Sequence, residues 1–135
     1  MVWLVLYLLG FGLVWYENRF IVCDVLGRPL WFTPENQTVL WIGRLLITYG
    51  SLAGIWYGYG WQQALVAFVV YYTFEKVTFR RSYNREFHDR YSRYLKHLRD
   101  DIASKGGPLD EQTLMTQASE FAHRTILRNM KGELT

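Results

Sequence analysis

Charged residues are absent from two long apolar stretches in the first 75 positions of the chain. The longer stretch runs from Leu45 to Phe74; thirty residues of helix would measure about 45 Å, against about 30 Å of bilayer hydrocarbon. The segment Tyr57–Trp61 in its middle contains two glycines, which permit a turn, and aromatic residues typical of headgroup depth. We therefore predict a helical hairpin with arms over 34–57 and 61–79. A single tilted helix is the alternative.

The other uncharged stretch, residues 1–16, stands at the start of the sequence. It lacks the basic region and the small-residue cleavage site of a secretory signal, so we expect it to be retained. A helix of sixteen residues would span only about 24 Å. We predict a third crossing, which either continues past Glu17 or packs its ends between the other helices. A helix lying flat at the interface is the alternative.

The segment 17–33 between these stretches is predicted as an interfacial loop. β-Branched and aromatic residues on both sides of Leu26-Gly27-Arg28 favour a small hairpin or an extended re-entrant loop. The following helix has a clear start, because Thr33 suits the N-cap, Pro34 the first helical position and Glu35 the first turn.

Each arm of the predicted hairpin has to contain a charged residue to be long enough for a crossing, Arg44 in the first and Glu75 in the second. A hairpin that turns at residues 59–60 places residues at equal depth when their numbers add up to about 119, as these two do. An unpaired charge within a bilayer costs several kcal/mol. We therefore predict an intramembrane ion pair between Arg44 and Glu75. In the alternative, each side chain extends separately to the nearby interface.

Gly50, Gly54 and Gly58 recur at a spacing of four residues in the first arm. This spacing aligns the glycines along one side of a helix, where another backbone can approach closely. We predict a helix-packing face, used either within the chain or between identical chains.

The remainder, residues 80–135, is predicted as a cytoplasmic helical tail. No glycine or proline interrupts the chain between Trp61 and Ser104, so the last crossing is expected to continue as an amphipathic helix over about 80–104. Gly106-Gly107-Pro108 ends that helix, and a second one is predicted over about 110–131. The apolar positions of the first tail helix recur every three or four residues: Phe79, Tyr83, Phe87, Tyr91, Leu95, Leu98 and Ile102.

Charge separates the same two parts of the chain. Residues 1–75 carry three basic and four acidic residues, whereas 76–135 carry twelve basic and eight acidic ones. Basic residues favour the cytoplasmic side, so we predict a cytoplasmic C-terminus in a plasma or inner membrane. We expect anionic lipid headgroups or a protein partner to contact this basic region. We do not expect nucleic acid as a partner, because the acidic residues of the same region dilute its positive field. Four basic residues follow the last arm directly: Lys76, Arg80, Arg81 and Arg85.

Residues able to perform catalysis are sparse. Cys23 is the only cysteine, the three histidines are scattered, and no phosphate-binding loop is present. Arg93 and His97 lie near Asp89 and Arg90 on one helix, an arrangement interpreted as a solvated charged face. We therefore predict a non-enzymatic protein without cofactor or metal.

The sequence as a whole predicts an all-α integral membrane protein with two or three transmembrane helices. We expect it to act through helix–helix assembly, as a homo-oligomer or as an accessory subunit of a membrane complex. An oligomeric pore is the alternative, with Arg44 and Glu75 near its inner mouth. The pore would be lined by Thr48, Ser51, Gln62 and Gln63.

A third interpretation is a sensor that binds a soluble ligand in the tail.

Overall fold

The computed structural model describes residues 1–23, 28–108 and 110–131. These residues form four α-helices and no β-strand, which confirms the predicted all-helical class. The helices are α1 (Val2–Ile21), α2 (Pro34–Tyr59), α3 (Trp61–Lys105) and α4 (Glu111–Met130).

Helix α1 is longer than the uncharged stretch that predicted it. It extends through Ile21 and so takes up the first part of the predicted interfacial loop 17–33. The rings of Tyr16 and Phe20, one turn apart, pack edge to face on each other, and both contact Phe32. This packing stabilises the added turn. The strand expected around Phe20 and Ile21 was therefore wrong, whereas residues 24–27 of the predicted hairpin lie outside the described residues.

Helix α2 begins where the sequence predicted. The hydroxyl of Thr33 accepts a hydrogen bond from the backbone N–H of Asn36 at 3.2 Å, and Pro34 occupies the first turn. The helix ends at Gly60, whose φ of 108° lies in the left-handed region that glycine adopts readily. Because α3 starts at the next residue, the chain reverses direction across a single glycine.

The first part of α3 lies beside α1 and α2 in a three-helix bundle. Trp3 near the start of α1 contacts Gly54 near the end of α2, whereas Glu17 near the end of α1 contacts Arg44 in the first half of α2, so these helices are antiparallel. Residues further along α1 contact residues further along α3, so these two helices are parallel. The hydroxyl of Tyr7 donates to the carbonyl of Ala67 at 2.5 Å, and the Phe11 ring packs edge to face on Tyr71 and Phe74.

Helix α3 continues well beyond the bundle, and α4 folds back against it. Gly106 ends α3 with a left-handed φ of 68°, and its N–H donates to the carbonyl of Ile102. The two helices enclose a small apolar core of Leu95, Leu114 and Ala118, flanked by tyrosine and aliphatic side chains of α3. The apolar stripe that predicted the tail helices thus packs α3 on α4.

Two of the described helices, α1 and α2, are long and apolar enough to cross a membrane by length and composition. The first part of α3 does not meet the same criterion. Gln62 and Gln63 shorten its apolar stretch at one end, and Glu75 and Lys76 shorten it at the other.

Candidate functional site

The three-helix bundle is inside out in part, because its interior holds charged and polar side chains beside apolar ones such as Val14, Leu52 and Ile55. Glu17, Arg44, Thr48 and Ser51 are buried between its helices. Large hydrophobic side chains, by contrast, cover its outer surface. All of the exposed ones among the described residues stand at or before Val77, except for three in the tail: Met115, Phe121 and Leu127. A water-soluble bundle of this size normally buries its apolar side chains and exposes its charged ones.

A cluster of three charges, which we call the charge triad, lies at the centre of this polar interior. Each bundle helix contributes one member: Glu17 from α1, Arg44 from α2 and Glu75 from α3. The Nε atom of Arg44 lies 2.7 Å from Oε2 of Glu17, and its Nη1 lies 3.1 Å from Oε1 of Glu75. The first contact is an ion pair rather than a hydrogen bond, because the Nε–H does not point at the carboxylate. One guanidinium thus joins three helices.

Neutral groups complete the surroundings of the charge triad. Nη1 of Arg44 also donates to the hydroxyl of Tyr71 at 3.3 Å. The side-chain amide of Asn18 donates to the backbone carbonyl of Glu75 at 3.2 Å, which ties α1 to α3 at the same level. Burying charged groups costs less when they are paired and when neighbouring groups hydrogen-bond to them. The arrangement therefore fixes how the three helices align.

The structure brings Arg44 and Glu75 together, as the equal-depth argument predicted, and adds Glu17, which that argument missed. The sequence allowed the first helix to continue past Glu17, as α1 does, but Glu17 was assigned to the predicted loop 17–33 and given no partner. The signal that could have included it is the run of residues up to Ile21, which contains no helix-breaking glycine or proline after Gly12. A helix continued over that run would carry Glu17 to the level of Arg44.

The three glycines of α2 do not form one packed face within the chain. Gly54 is buried under the indole ring of Trp3, and a side chain at this position would overlap with that ring. A side chain at Gly50 or Gly58 would meet no other atom within 4 Å. Of the predicted face, only Gly54 is therefore used for packing between helices of the same chain.

The polar residues expected to line a pore do not share one surface. Thr48 and Ser51 are 1% and 0% exposed, Thr48 lies against Gly10 of α1, and the Ser51 hydroxyl donates to the carbonyl of Thr48 at 2.7 Å. Gln62 and Gln63 are exposed at the start of α3. In this arrangement the first two residues point into the chain and cannot line a channel between chains.

The four basic residues after the bundle are exposed along α3, and none of them forms an ion pair with a described carboxylate. Lys76 places its ammonium 5.3 Å from the ring centroid of Tyr72, and Arg19 of α1 places its guanidinium 5.3 Å from that of Trp15. Aromatic rings beside cations are typical of headgroup depth in membrane proteins. The four basic residues that follow the bundle along α3 are Lys76, Arg80, Arg81 and Arg85.

Arg90 differs from the solvated residue that the sequence led us to expect. Its side chain is 7% exposed, its Nε donates to Glu86 at 3.0 Å, and its Nη2 donates to the carbonyl of Val22 at 3.2 Å. Arg28 makes a similar junction, donating to the carbonyls of Ile21 and Asn129 at 2.9 Å each. The two arginines connect the end of α1 with both tail helices. The end of α1 and Arg28 are thus joined by hydrogen bonds to the tail helices.

Among the described residues, no group of three or more histidine, cysteine, aspartate or glutamate side chains could hold a metal ion. No family model matches the chain, and the comparisons with curated proteins and with solved structures give no match either.

Proposed function

We propose that the chain is a small integral membrane protein without enzymatic activity that acts by assembling with other membrane helices. The inside-out distribution of the bundle carries this proposal. Apolar side chains on the outer surface gain free energy in lipid, whereas the same side chains in water would be a large exposed apolar patch. Ionisable residues within membranes are also tolerated when they pair with one another between helices, as Glu17, Arg44 and the partly exposed Glu75 do in the charge triad.

The proposed protein crosses the membrane three times. The first part of α3 is included because it lies alongside α1 and exposes Val66, Val69 and Val70 on its outer side. The basic residues that follow this part favour a cytoplasmic C-terminus. The turn at Gly60 and the start of α1 then lie on the opposite side, and the end of α1 and the start of α2 lie on the cytoplasmic side.

Labelling tests this topology. In a Cys23→Ser background, Gln62→Cys should react with a membrane-impermeant maleimide added to intact cells, and Ser104→Cys should react only after lysis. Recovery of the full chain in the soluble fraction after alkaline carbonate extraction would overturn membrane integration itself. Equal labelling of both cysteines in intact cells would overturn the proposed orientation.

The open glycines of α2 support the assembly part of the proposal. Gly50 and Gly58 leave shallow positions on the outer surface, on either side of Gly54, and the exposed Leu46 and Tyr49 stand beside them. Small residues on the outer surface of a membrane helix let a neighbouring helix approach closely. The neighbour would be a second copy of the chain or a subunit of a larger complex.

The native mass of the protein in nanodiscs tests assembly. A homo-oligomer should shift toward the monomer in a Gly50→Leu/Gly58→Leu variant, because both leucines would block close approach. Gly12→Leu is the matched control, since Gly12 also has open space around it but lies on α1. A wild-type monomer that retains other membrane proteins after crosslinking would identify the accessory-subunit form. A wild-type monomer without such partners would overturn the proposal.

A further inference from the structure

A groove of about 500 Å³ lies between α3 and α4 in the tail. Its volume is within the range of pockets that bind small molecules. Arg90, Arg93 and His97 of α3 and Arg128 of α4 contribute to its walls, and no carboxylate lines it. The stacked rings of Tyr94 and Phe121, with centroids 3.9 Å apart, form an apolar part of the lining. We call this feature the basic groove.

The cations of the basic groove differ in how they are engaged. Arg90 is buried and committed to Glu86 and to the backbone of Val22, so its charge is largely neutralised. Arg93 and Arg128 are exposed and form no ion pair with a described carboxylate. Two further cations of the tail are paired, Arg99 with Glu111 and Lys105 with Asp101. The basic groove therefore concentrates unneutralised positive charge within a concave surface.

Three contacts hold the Arg90 and Asn129 side of the groove in place. Arg90 connects α3 to the end of α1, and the side chain of Asn129 lies against the Arg90 guanidinium when its amide oxygen faces that group. Arg28 donates to the backbone carbonyl of Asn129 at 2.9 Å, which ties the end of α4 to the same junction. A site that is formed before its ligand arrives loses little free energy in ordering.

We infer that the basic groove binds a phosphate-bearing anion. Two guanidinium groups on facing helices can each donate two parallel hydrogen bonds to phosphate oxygens, and the imidazole of His97 adds a further donor. The aromatic pair offers a surface for an apolar part of the ligand. The anion is either a soluble phosphate compound or the phosphomonoester of a lipid headgroup. This inference goes beyond the proposed assembly function and does not depend on it.

Calorimetric titration of inorganic pyrophosphate into the full chain in phosphatidylcholine nanodiscs tests the groove, with empty nanodiscs as the blank. The groove variant is Arg93→Gln/Arg128→Gln. Its matched control is Lys96→Gln/Arg124→Gln, which removes the same charge from exposed positions of the same helices outside the groove. All four side chains are exposed, so both variants should keep the helical circular-dichroism spectrum of the wild type.

We expect pyrophosphate to bind the wild type, the groove variant to lose about tenfold or more in affinity, and the control to change by about twofold or less, because charge-assisted hydrogen bonds are lost only in the former. In a second arm, native mass spectrometry of protein released from nanodiscs containing phosphatidylinositol 4-phosphate counts lipid adducts. Groove-dependent adducts without pyrophosphate binding would identify a headgroup as the ligand. Failure of both probes to bind, or equal losses in the two variants, would overturn the inference.

Discussion

Arg44 and Glu17 lie 2.7 Å apart, from Nε to Oε2, and neither side chain exposes more than 6% of its surface. They belong to α1 and α2, which are consecutive in the sequence but separated by residues 22–33. Because so long a connection does not by itself define how the two helices align, the contact between Glu17 and Arg44 fixes that alignment. The same guanidinium also reaches Glu75 on α3. Removal of a partner from a buried ion pair leaves an uncompensated charge, and this cost exceeds the net stabilisation that the pair provides.

Arg44→Gln should therefore destabilise the bundle by about 3–5 kcal/mol, because two carboxylates then lie close together without a cation. Thermal unfolding in detergent, followed by size-exclusion chromatography, measures the change. The Glu17→Gln/Arg44→Gln double variant should recover part of the loss, since it removes one of the two uncompensated charges. Arg81→Gln is the control, because Arg81 is exposed on α3. Wild-type stability in Arg44→Gln would contradict the role given to the charge triad.

Gly54→Ala should weaken the packing of α1 on α2, since its methyl group would overlap with the indole ring of Trp3. Overpacking of this kind typically costs about 1–3 kcal/mol. Gly50→Ala is a matched control on the same helix, because a side chain there meets no atom within 4 Å. Adding Trp3→Ala to both alanine variants should remove the overlap and so reduce the difference in stability between Gly54→Ala and Gly50→Ala. Equal unfolding temperatures for the two alanine variants would show that Trp3 does not pack as described.

The α3–α4 turn gives a third prediction. Gly106 has a left-handed φ of 68°, which costs a residue with a side chain about 1 kcal/mol, so Gly106→Ala should lower the stability of the tail by about that amount. Gly107→Ala should have little effect, because the added atom would lie 3.8 Å from the Ile102 side chain, an ordinary contact. Hydrogen exchange of the α4 amides measures the difference. Stronger loss of protection in Gly107→Ala than in Gly106→Ala would contradict this account.

The sequence predicted the parts of the structure that depend on local pattern. The break at Gly60, the start of α2 at Thr33 and the continuous α3 follow from capping residues and from the positions of glycine and proline. The meeting of Arg44 with Glu75 also follows, because a tight turn leaves only one alignment of the two helices. In each case the signal lies within one helix or one turn.

Contacts between helices that are joined by a longer segment could not be predicted in this way. The position of Glu17 depends on how α1 docks on both other helices, and the uncharged stretch alone does not define where α1 ends. The burial of Arg90 depends on the carbonyl of Val22, which lies 68 positions away in the chain. The glycine spacing in α2 was misleading for a related reason, because Trp3 covers one of three equivalent positions.

Cys23 reports on the junction of α1 with the tail. Its thiol donates to the carbonyl of Arg19 at 2.9 Å. Burial raises the pKa of this thiol, and the nearby Glu86 raises it further, whereas Arg28, Arg90 and Arg19 act in the opposite direction to a smaller extent. The thiolate is the reactive form, so a raised pKa leaves less of it at a given pH.

The rate of alkylation of Cys23 by iodoacetamide should therefore rise with pH with a midpoint above that of the unfolded chain. The midpoint pH is the quantity to compare, because restricted access to the thiol slows the reaction at every pH without shifting the midpoint. Glu86→Gln should shift the midpoint to lower pH, since it removes a negative charge near the thiol and leaves Arg90 without its carboxylate partner. Glu120→Gln removes an exposed acid of α4 and is the charge-matched control. Identical midpoints in the folded and unfolded chains would show that Cys23 is not held in this junction.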